Sequence, residues 1–387
     1  MPNVPVGRPL PFRQFIVKLH SRCNLACDYC YLYTKADQRW RTRPRVMSRE
    51  LAGRTAERVA EHVRAHRLDE IEVILHGGEP LLAGAELIDH IVSTMRAHVP
   101  ARVRTTIQTN ATLLDRDYLN LLRRLDIRVG VSLDGDAAGH DRHRIGPDGT
   151  GSYHRVRAAL RLLGAPEYRG LFRGLLCTVD LANDPVDTYR ALLEFTPPAV
   201  DFLLPHGNWT SPPPGRVPGS AETPYADWLI TVFDRWYDAP LRETRVRLFE
   251  EIINVLLGGR SRVEGIGLSP ALMVVIETDG TIEQSDILAS AFEGAAATGL
   301  HVARDSFDAA LTLPDVLARQ TGSAGLPATC RACRLRTVCG GGLRAHRFRA
   351  GAGFDNPSVY CPDLFRLITH VRARLADDLA AVRRGTG

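Results

Sequence analysis

Three cysteines within eight residues, Cys23, Cys27 and Cys30, constrain this chain more than any other feature. They lie in Arg22-Cys-Asn-Leu-Ala-Cys-Asp-Tyr-Cys-Tyr31, a CxxxCxxC spacing with an aromatic, Tyr29, just before the last cysteine. Three thiolates can hold three irons of a [4Fe–4S] cube, because Cys is the usual ligand of such clusters. The next cysteine is Cys177. One iron would therefore stay open, and an open metal position is where a substrate or cosubstrate binds. Zinc is the alternative occupant. Zinc sites usually take paired CxxC knuckles and four protein ligands, and His20 could complete a Cys₃His set or simply be packed at the end of its strand.

Eight cysteines are unusual only if they are not disulfides. The first ten residues are proline-rich with no apolar core, which argues against a secretory signal. No apolar run reaches about 18 residues, so no transmembrane helix is expected. A cytoplasmic location follows, and in a reducing compartment such cysteines point to metal or redox chemistry. The net charge of +5 is mild and the arginines are scattered, so no nucleic-acid face is indicated. An apolar fraction of 44% is ordinary for a globular chain of 387 residues.

Residues 14–203 alternate between short apolar strands and amphipathic helices. Strands are expected at 15–19, 71–75, 103–108, 127–133, 171–179 and 200–204. Helices are expected at 48–67 (capped by Ser48), 84–98, 115–125, 152–164 and 185–195. Six such units predict a parallel sheet, and six rather than eight predict an open partial barrel. The stretch 205–220 is too rich in proline and glycine to continue either element. Two helices follow, at about 222–237 and 242–257. A hairpin is then signalled by Asp279-Gly280 between 271–276 and 281–283. A Cys-rich region and a final helix from about Pro362 close the chain. The division is a lead-in over 1–13, a barrel over 14–205, a linker with bridging helices over 206–260 and a Cys-rich module over 261–387.

The distinctive polar motifs all fall at strand ends, where parallel α/β sheets bind ligands. Leu75-His-Gly-Gly-Glu-Pro80 ends the second strand, Gln108-Thr-Asn-Ala111 the third and Ser132-Leu-Asp-Gly135 the fourth. Together with CxxxCxxC these resemble the radical S-adenosylmethionine (radical SAM) enzymes. The resemblance implies that the open iron chelates SAM and that the reduced cluster cleaves it to a 5′-deoxyadenosyl radical. Carried over to this sequence, Gly77, Gly78 and Glu79 hold the SAM ammonium, Tyr29 is a further cofactor-binding residue, and Ser132 and Asp134 lie near the ribose. Arg144, in Asp141-Arg-His-Arg144, would meet the carboxylate with a bidentate fork, with Arg142 a near equal.

Cys330, Cys333, Cys339 and Cys361 resemble the SPASM module of peptide-modifying radical SAM enzymes. Two auxiliary clusters are usual there, but Ser285 and Leu343 stand where the family has cysteines, and 264–270 contains none. The four that remain imply one auxiliary [4Fe–4S] cluster, with a structural Cys₄ zinc as the alternative. Cys177, inside an apolar strand, reads as packed core. Longer segments, among them Phe12-Arg-Gln-Phe15, Arg43-Pro-Arg-Val-Met-Ser48, Phe202-Leu-Leu-Pro-His206 and Gly353-Phe-Asp-Asn-Pro-Ser-Val-Tyr-Cys361, resemble the FxsB-type, cyclophane-forming (triceptide) maturases. That implies a crosslink from an aromatic ring carbon to the β-carbon of a residue two positions later in a ribosomal precursor peptide. It also implies an external reductant such as flavodoxin or ferredoxin. Asp286 is the candidate base, and His206 and Trp209 are candidate channel residues. No appended leader-binding domain is expected. Thioether formation, epimerisation and sulfatase-type oxidation of a Cys or Ser are the competing reactions. Sulfatase-maturating enzymes resemble this chain in the barrel but keep the full set of auxiliary cysteines.

Overall fold

A computed structural model describes residues 9–385. Six parallel strands form the centre of one sheet: β1 (Gln14–His20), β2 (Glu70–Gly77), β3 (Arg102–Thr109), β4 (Ile127–Ser132), β5 (Phe172–Thr178) and β6 (Ala199–Leu203). The strand β7 (Arg245–Val246) extends the β6 edge. On the other edge β8 (Met273–Ile276) lies parallel to β1 and leads into β9 (Thr281–Glu283) and β10 (Ala297–His301), which are antiparallel. Ten strands thus run continuously in the order β10-β9-β8-β1-β2-β3-β4-β5-β6-β7.

The (β/α)₆ partial barrel expected from the sequence is therefore present, as is the 271–283 hairpin. The hairpin is not separate from the barrel, because β8 is hydrogen-bonded to β1. The proposed division into 14–205, 206–260 and 261–387 follows chain order, whereas the sheet crosses its last boundary. The first eight residues of the 1–13 lead-in fall outside the described residues.

Local chemistry explains the helix starts. Ser48 caps α1 (Arg49–His66) by accepting from the Leu51 N–H at 3.1 Å. Asp115 does the same for α3 (Arg116–Arg124), which follows α2 (Ala85–His98). After α4 (Ala137–Asp141) and α5 (Tyr153–Leu163), Asp184 with Pro185 starts α6 (Pro185–Leu193). β1 is buried along nearly its whole length, as a strand covered on both faces must be. The helices α7 (Pro224–Tyr237) and α8 (Arg247–Leu256) bridge to the C-terminal part, which holds α9 (Phe307–Leu311), several single turns and the terminal helix Cys361–Gly385. Gly340 shows how tightly this part is closed. It has φ +61°, and a Cβ there would lie 1.6 Å from the Gly267 carbonyl oxygen. The Arg347 guanidinium then gathers the carbonyls of Gly340, Gly341 and Gly342 at 2.6, 3.0 and 2.9 Å. Among the described residues, no helix is long and apolar enough to cross a membrane.

Candidate active site

The carboxyl ends of the strands open into a largely apolar cavity of about 470 Å³. Its wall carries Cys23, Cys27 and Cys30 from the loop after β1, Gly78 from the loop after β2, Gln108 and Asn110 from the end of β3, and Ser132 and Arg144. The opposite wall is built by His206, Ser285, Asp286, Leu343 and His346. Residues far apart in sequence thus share one space.

Gly78 is glycine because of close approach. A Cβ there would sit 2.3 Å from the Arg22 carbonyl oxygen. The Gly78 and Glu79 N–H groups donate to the His20 and Arg22 carbonyls at 2.7 and 3.0 Å, tying the second motif to the cysteine loop. Glu79 is buried and already used: it accepts from the Thr109 hydroxyl at 2.6 Å and from the Asn110 and Leu81 N–H groups at 2.8 and 3.1 Å. Burial lifts its carboxyl to about 7 against those bonds.

Asp134 lies deeper than Ser132. It is buried away from the cavity wall, and its carboxylate accepts from Arg144 Nε at 2.7 Å, the Thr178 N–H at 2.8 Å and the Tyr29 hydroxyl. The carboxylates of Asp134 and Glu79 thus both accept from several protein donors. Asp134 has the further effect of aiming Arg144, whose guanidinium lies 5.5 Å from the Tyr29 ring centre. Arg142 instead pairs with Asp180 and Asn183 outside the cavity, so the two arginines that the sequence left nearly equal are separated by the fold.

A family model described as the radical SAM superfamily matches residues 17–166. That match spans the first four strands of the barrel and the helices between them. A cysteine-type anaerobic sulfatase-maturating enzyme of Clostridium perfringens is 27% identical over 286 residues, covering 71% of this chain and 74% of that one. The solved structure of native anSMEcpe with bound AdoMet matches with a TM-score of 0.79 at 22% identity, over 95% of this chain and 99% of that one. Streptococcus suis SuiB bound to precursor peptide SuiA matches at 0.57 and 13%, over 91% and 76%. The chain is an enzyme of the oxidoreductase type whose barrel is similar to the radical SAM superfamily. The finer cyclophane-forming subgroup finds no support among these relatives.

The cysteines of the loop after β1 fit a cluster. Burial raises the Cys27 thiol to about 11 and the Cys23 thiol to about 12, so bare thiolates are disfavoured there and a metal's positive charge is what would hold three together. The alternative fourth ligand, His20, directs Nδ1 to the Arg22 backbone at 2.9 Å. The second set, Cys330, Cys333, Cys339 and Cys361, surrounds a separate small cavity of about 90 Å³ beside Leu335 and Phe365. All four are free thiols, and Cys177 is fully buried in β5, as expected.

Facing Cys23, Cys27 and Cys30 is a buried polar chain that sequence reasoning found only in part. Asp286 accepts from Lys18 Nζ at 2.5 Å and from the Tyr31 hydroxyl at 2.9 Å, and Lys18 also lies 3.2 Å from His76 Nδ1. The Lys18 ammonium holds the Asp286 carboxyl far below its usual range. His76 and His206 are both lowered to about 4, chiefly by burial, so both are neutral at pH 7. The Tyr31 ring meets His206 edge-on at 4.8 Å, and His206 Nδ1 lies 3.2 Å from His346 Nε2. Trp209 does not reach the cavity, since its indole N–H donates to the Pro357 carbonyl at 2.7 Å. Lys18 carried a readable signal, a charge inside an otherwise apolar strand, which demands a buried partner. Tyr31, His76 and His346 carried none beyond position.

Proposed function

We propose that this enzyme oxidatively crosslinks a ribosomal precursor peptide, joining an aromatic ring carbon to the β-carbon of a residue two positions later. The supporting observation is the wall formed by Ser285, Leu343 and 263–266, where the sulfatase-maturating pattern places cluster cysteines. Here those side chains line open cavity instead. A crosslink needs two side chains and the residue between them in the site at once, which takes more room than the single Cys or Ser of sulfatase maturation. The likeness over nearly the whole chain to anSMEcpe favours that second reading, oxidation of one Cys or Ser in a protein.

In this proposal Cys23, Cys27 and Cys30 hold the cluster that is open to SAM, and Cys330, Cys333, Cys339 and Cys361 hold one auxiliary [4Fe–4S] cluster. Bound together, the first cluster and SAM supply the one-electron chemistry that removes a hydrogen atom from an unactivated carbon. The protein's part is placement. Arg144, aimed by Asp134, offers its fork to a carboxylate, Ser132 offers a hydroxyl on the ribose side, and the Gly77-Gly78 backbone lets the ligand lie flat against the wall. The apolar lining keeps water from a carbon radical. Crosslinking removes two hydrogens: one leaves as an atom to the radical derived from SAM, and the other as a proton and an electron, for which an auxiliary cluster held by Cys330, Cys333, Cys339 and Cys361 would be the acceptor. Asp286 takes that proton: the ring carbon that has just been attacked is strongly acidic, so a carboxylate weakened by Lys18 is base enough.

Mass spectrometry of a peptide co-expressed anaerobically, the one encoded beside this gene, is the test. A loss of two hydrogens mapped to an aromatic and a residue two positions on is expected. A change mapped to a lone Cys or Ser would replace the crosslink with the sulfatase-type reading. The arginine assignment has its own expected outcome. Arg144→Lys keeps the charge but loses the fork and should weaken SAM binding roughly tenfold, while Arg142→Ala leaves it unchanged. Equilibrium dialysis with labelled SAM reads both.

A further inference from the structure

On the outer face of the barrel, far in sequence from both cysteine sets, two histidines one turn apart on α1 converge with an aspartate at the start of α9. His62 Nδ1 lies 2.5 Å and His66 Nε2 2.9 Å from the same oxygen, Asp308 Oδ1. The three ligand atoms all lie within 4.8 Å of one another, and no other described His, Cys, Asp or Glu trio is so close.

The protons do not add up for a simple hydrogen-bonded group. His62 is 2% exposed, and its ring is boxed in by Phe12, Phe15 and Phe307 at centroid distances of 5.8, 5.9 and 6.3 Å. Its second nitrogen, Nε2, faces the Phe12 carbonyl at 3.2 Å. A carbonyl oxygen and a carboxylate oxygen are both acceptors, yet a neutral imidazole has one N–H. A cation seated between Nδ1 and the carboxylate oxygen leaves the single proton on Nε2, where it meets the Phe12 carbonyl.

We propose that His62 Nδ1, His66 Nε2 and Asp308 bind a divalent transition-metal ion, zinc by preference, with water in a fourth position. Two imidazoles and a carboxylate are a usual zinc set, and a backbone carbonyl on the far nitrogen of a ligating histidine is the usual outer partner. Donor atoms around zinc stand about 3.3 Å apart, so the carboxylate must move outward by about 0.8 Å from His62 and about 0.4 Å from His66. Asp308 is 44% exposed on its side chain and can do so. For Nε2 to bind, His66 carries its one proton on Nδ1, and binding leaves oxidation states unchanged. The ion would clip the first helix of the barrel to the C-terminal part across a chain separation of 246 residues. It stands independently of the proposed crosslinking reaction.

The probe is zinc chloride added to the enzyme with its iron–sulfur clusters loaded, followed by gel filtration and metal analysis. About one zinc per chain beyond the iron is expected, with a rise in the thermal midpoint. His66→Ala and Asp308→Ala should each lose the zinc and the rise while keeping the iron, which reports that the chain is folded. His66→Cys, which keeps a ligand, should retain the zinc. Equal zinc in parent and both alanine variants, or none in the parent, would overturn the site and leave a hydrogen-bonded cluster.

Discussion

Cys27→Ala is expected to abolish SAM cleavage outright, with 5′-deoxyadenosine falling below detection and about half of the chain's iron lost. Cys23, Cys27 and Cys30 all face one cavity, and burial keeps each thiol protonated unless a metal is bound. Two thiolates cannot hold three irons of a cube, so the loss of one is not a graded effect. The four cysteines around the smaller cavity are untouched by the change and should retain their share of the iron. Cys177→Ala is the matched control, because that buried thiol lines neither cavity and its removal should leave the iron content as it is. Iron analysis and quantified 5′-deoxyadenosine check both variants. Full iron with intact SAM cleavage in Cys27→Ala would remove the whole site assignment.

Asp286→Asn is expected to cost about 3–5 kcal/mol of stability, because it leaves the Lys18 ammonium buried without its counter-ion. Both side chains are under 10% exposed, so solvent screening offers little relief. The sign with pH follows from the same pair. Lys18 depresses the Asp286 carboxyl in the folded state below its unfolded value. The pair's contribution is therefore complete above the ordinary carboxylate range and is lost as pH falls through the folded value. Denaturant melts at neutral and acid pH should show that loss in the parent and not in the variant. Stability alone would not reveal a catalytic part for Asp286. The double variant Lys18→Leu with Asp286→Leu removes both charges together and should regain most of the stability. It should still fail to modify peptide if Asp286 takes the ring proton. A stable and fully active double variant would reduce Asp286 to a structural role.

Much of the fold was readable because parallel strands are local in composition even when they are distant in pairing. The barrel strands are short runs rich in β-branched and aliphatic residues, and three of the helices after them open on a side-chain cap, Ser48, Asp115 or Asp184. Expected boundaries accordingly lie within about two residues of the observed ones for the barrel elements. The two-residue strand β7 left no such signature. The parallel pairing of β8 with β1 was equally invisible, since it joins residues more than 250 positions apart and no local pattern encodes a partner.

The site divides along the same line. Spacing alone grouped most of the thiols that line each cavity, because CxxxCxxC and CxxC place sulfurs within a turn or two of each other. Position after apolar runs alone determined that Gly77, Gly78, Ser132 and the cysteine loop meet at one end of the sheet. What only the tertiary structure decided is the use of each charge. Asp134 aims Arg144 instead of facing the cavity, Arg142 leaves for Asp180, and Asp286 is held ionised by Lys18 from a strand 268 residues away in the chain. Charge is decided late because its energy depends on burial and on partners a few ångströms away. Both are properties of the packed molecule and not of any segment.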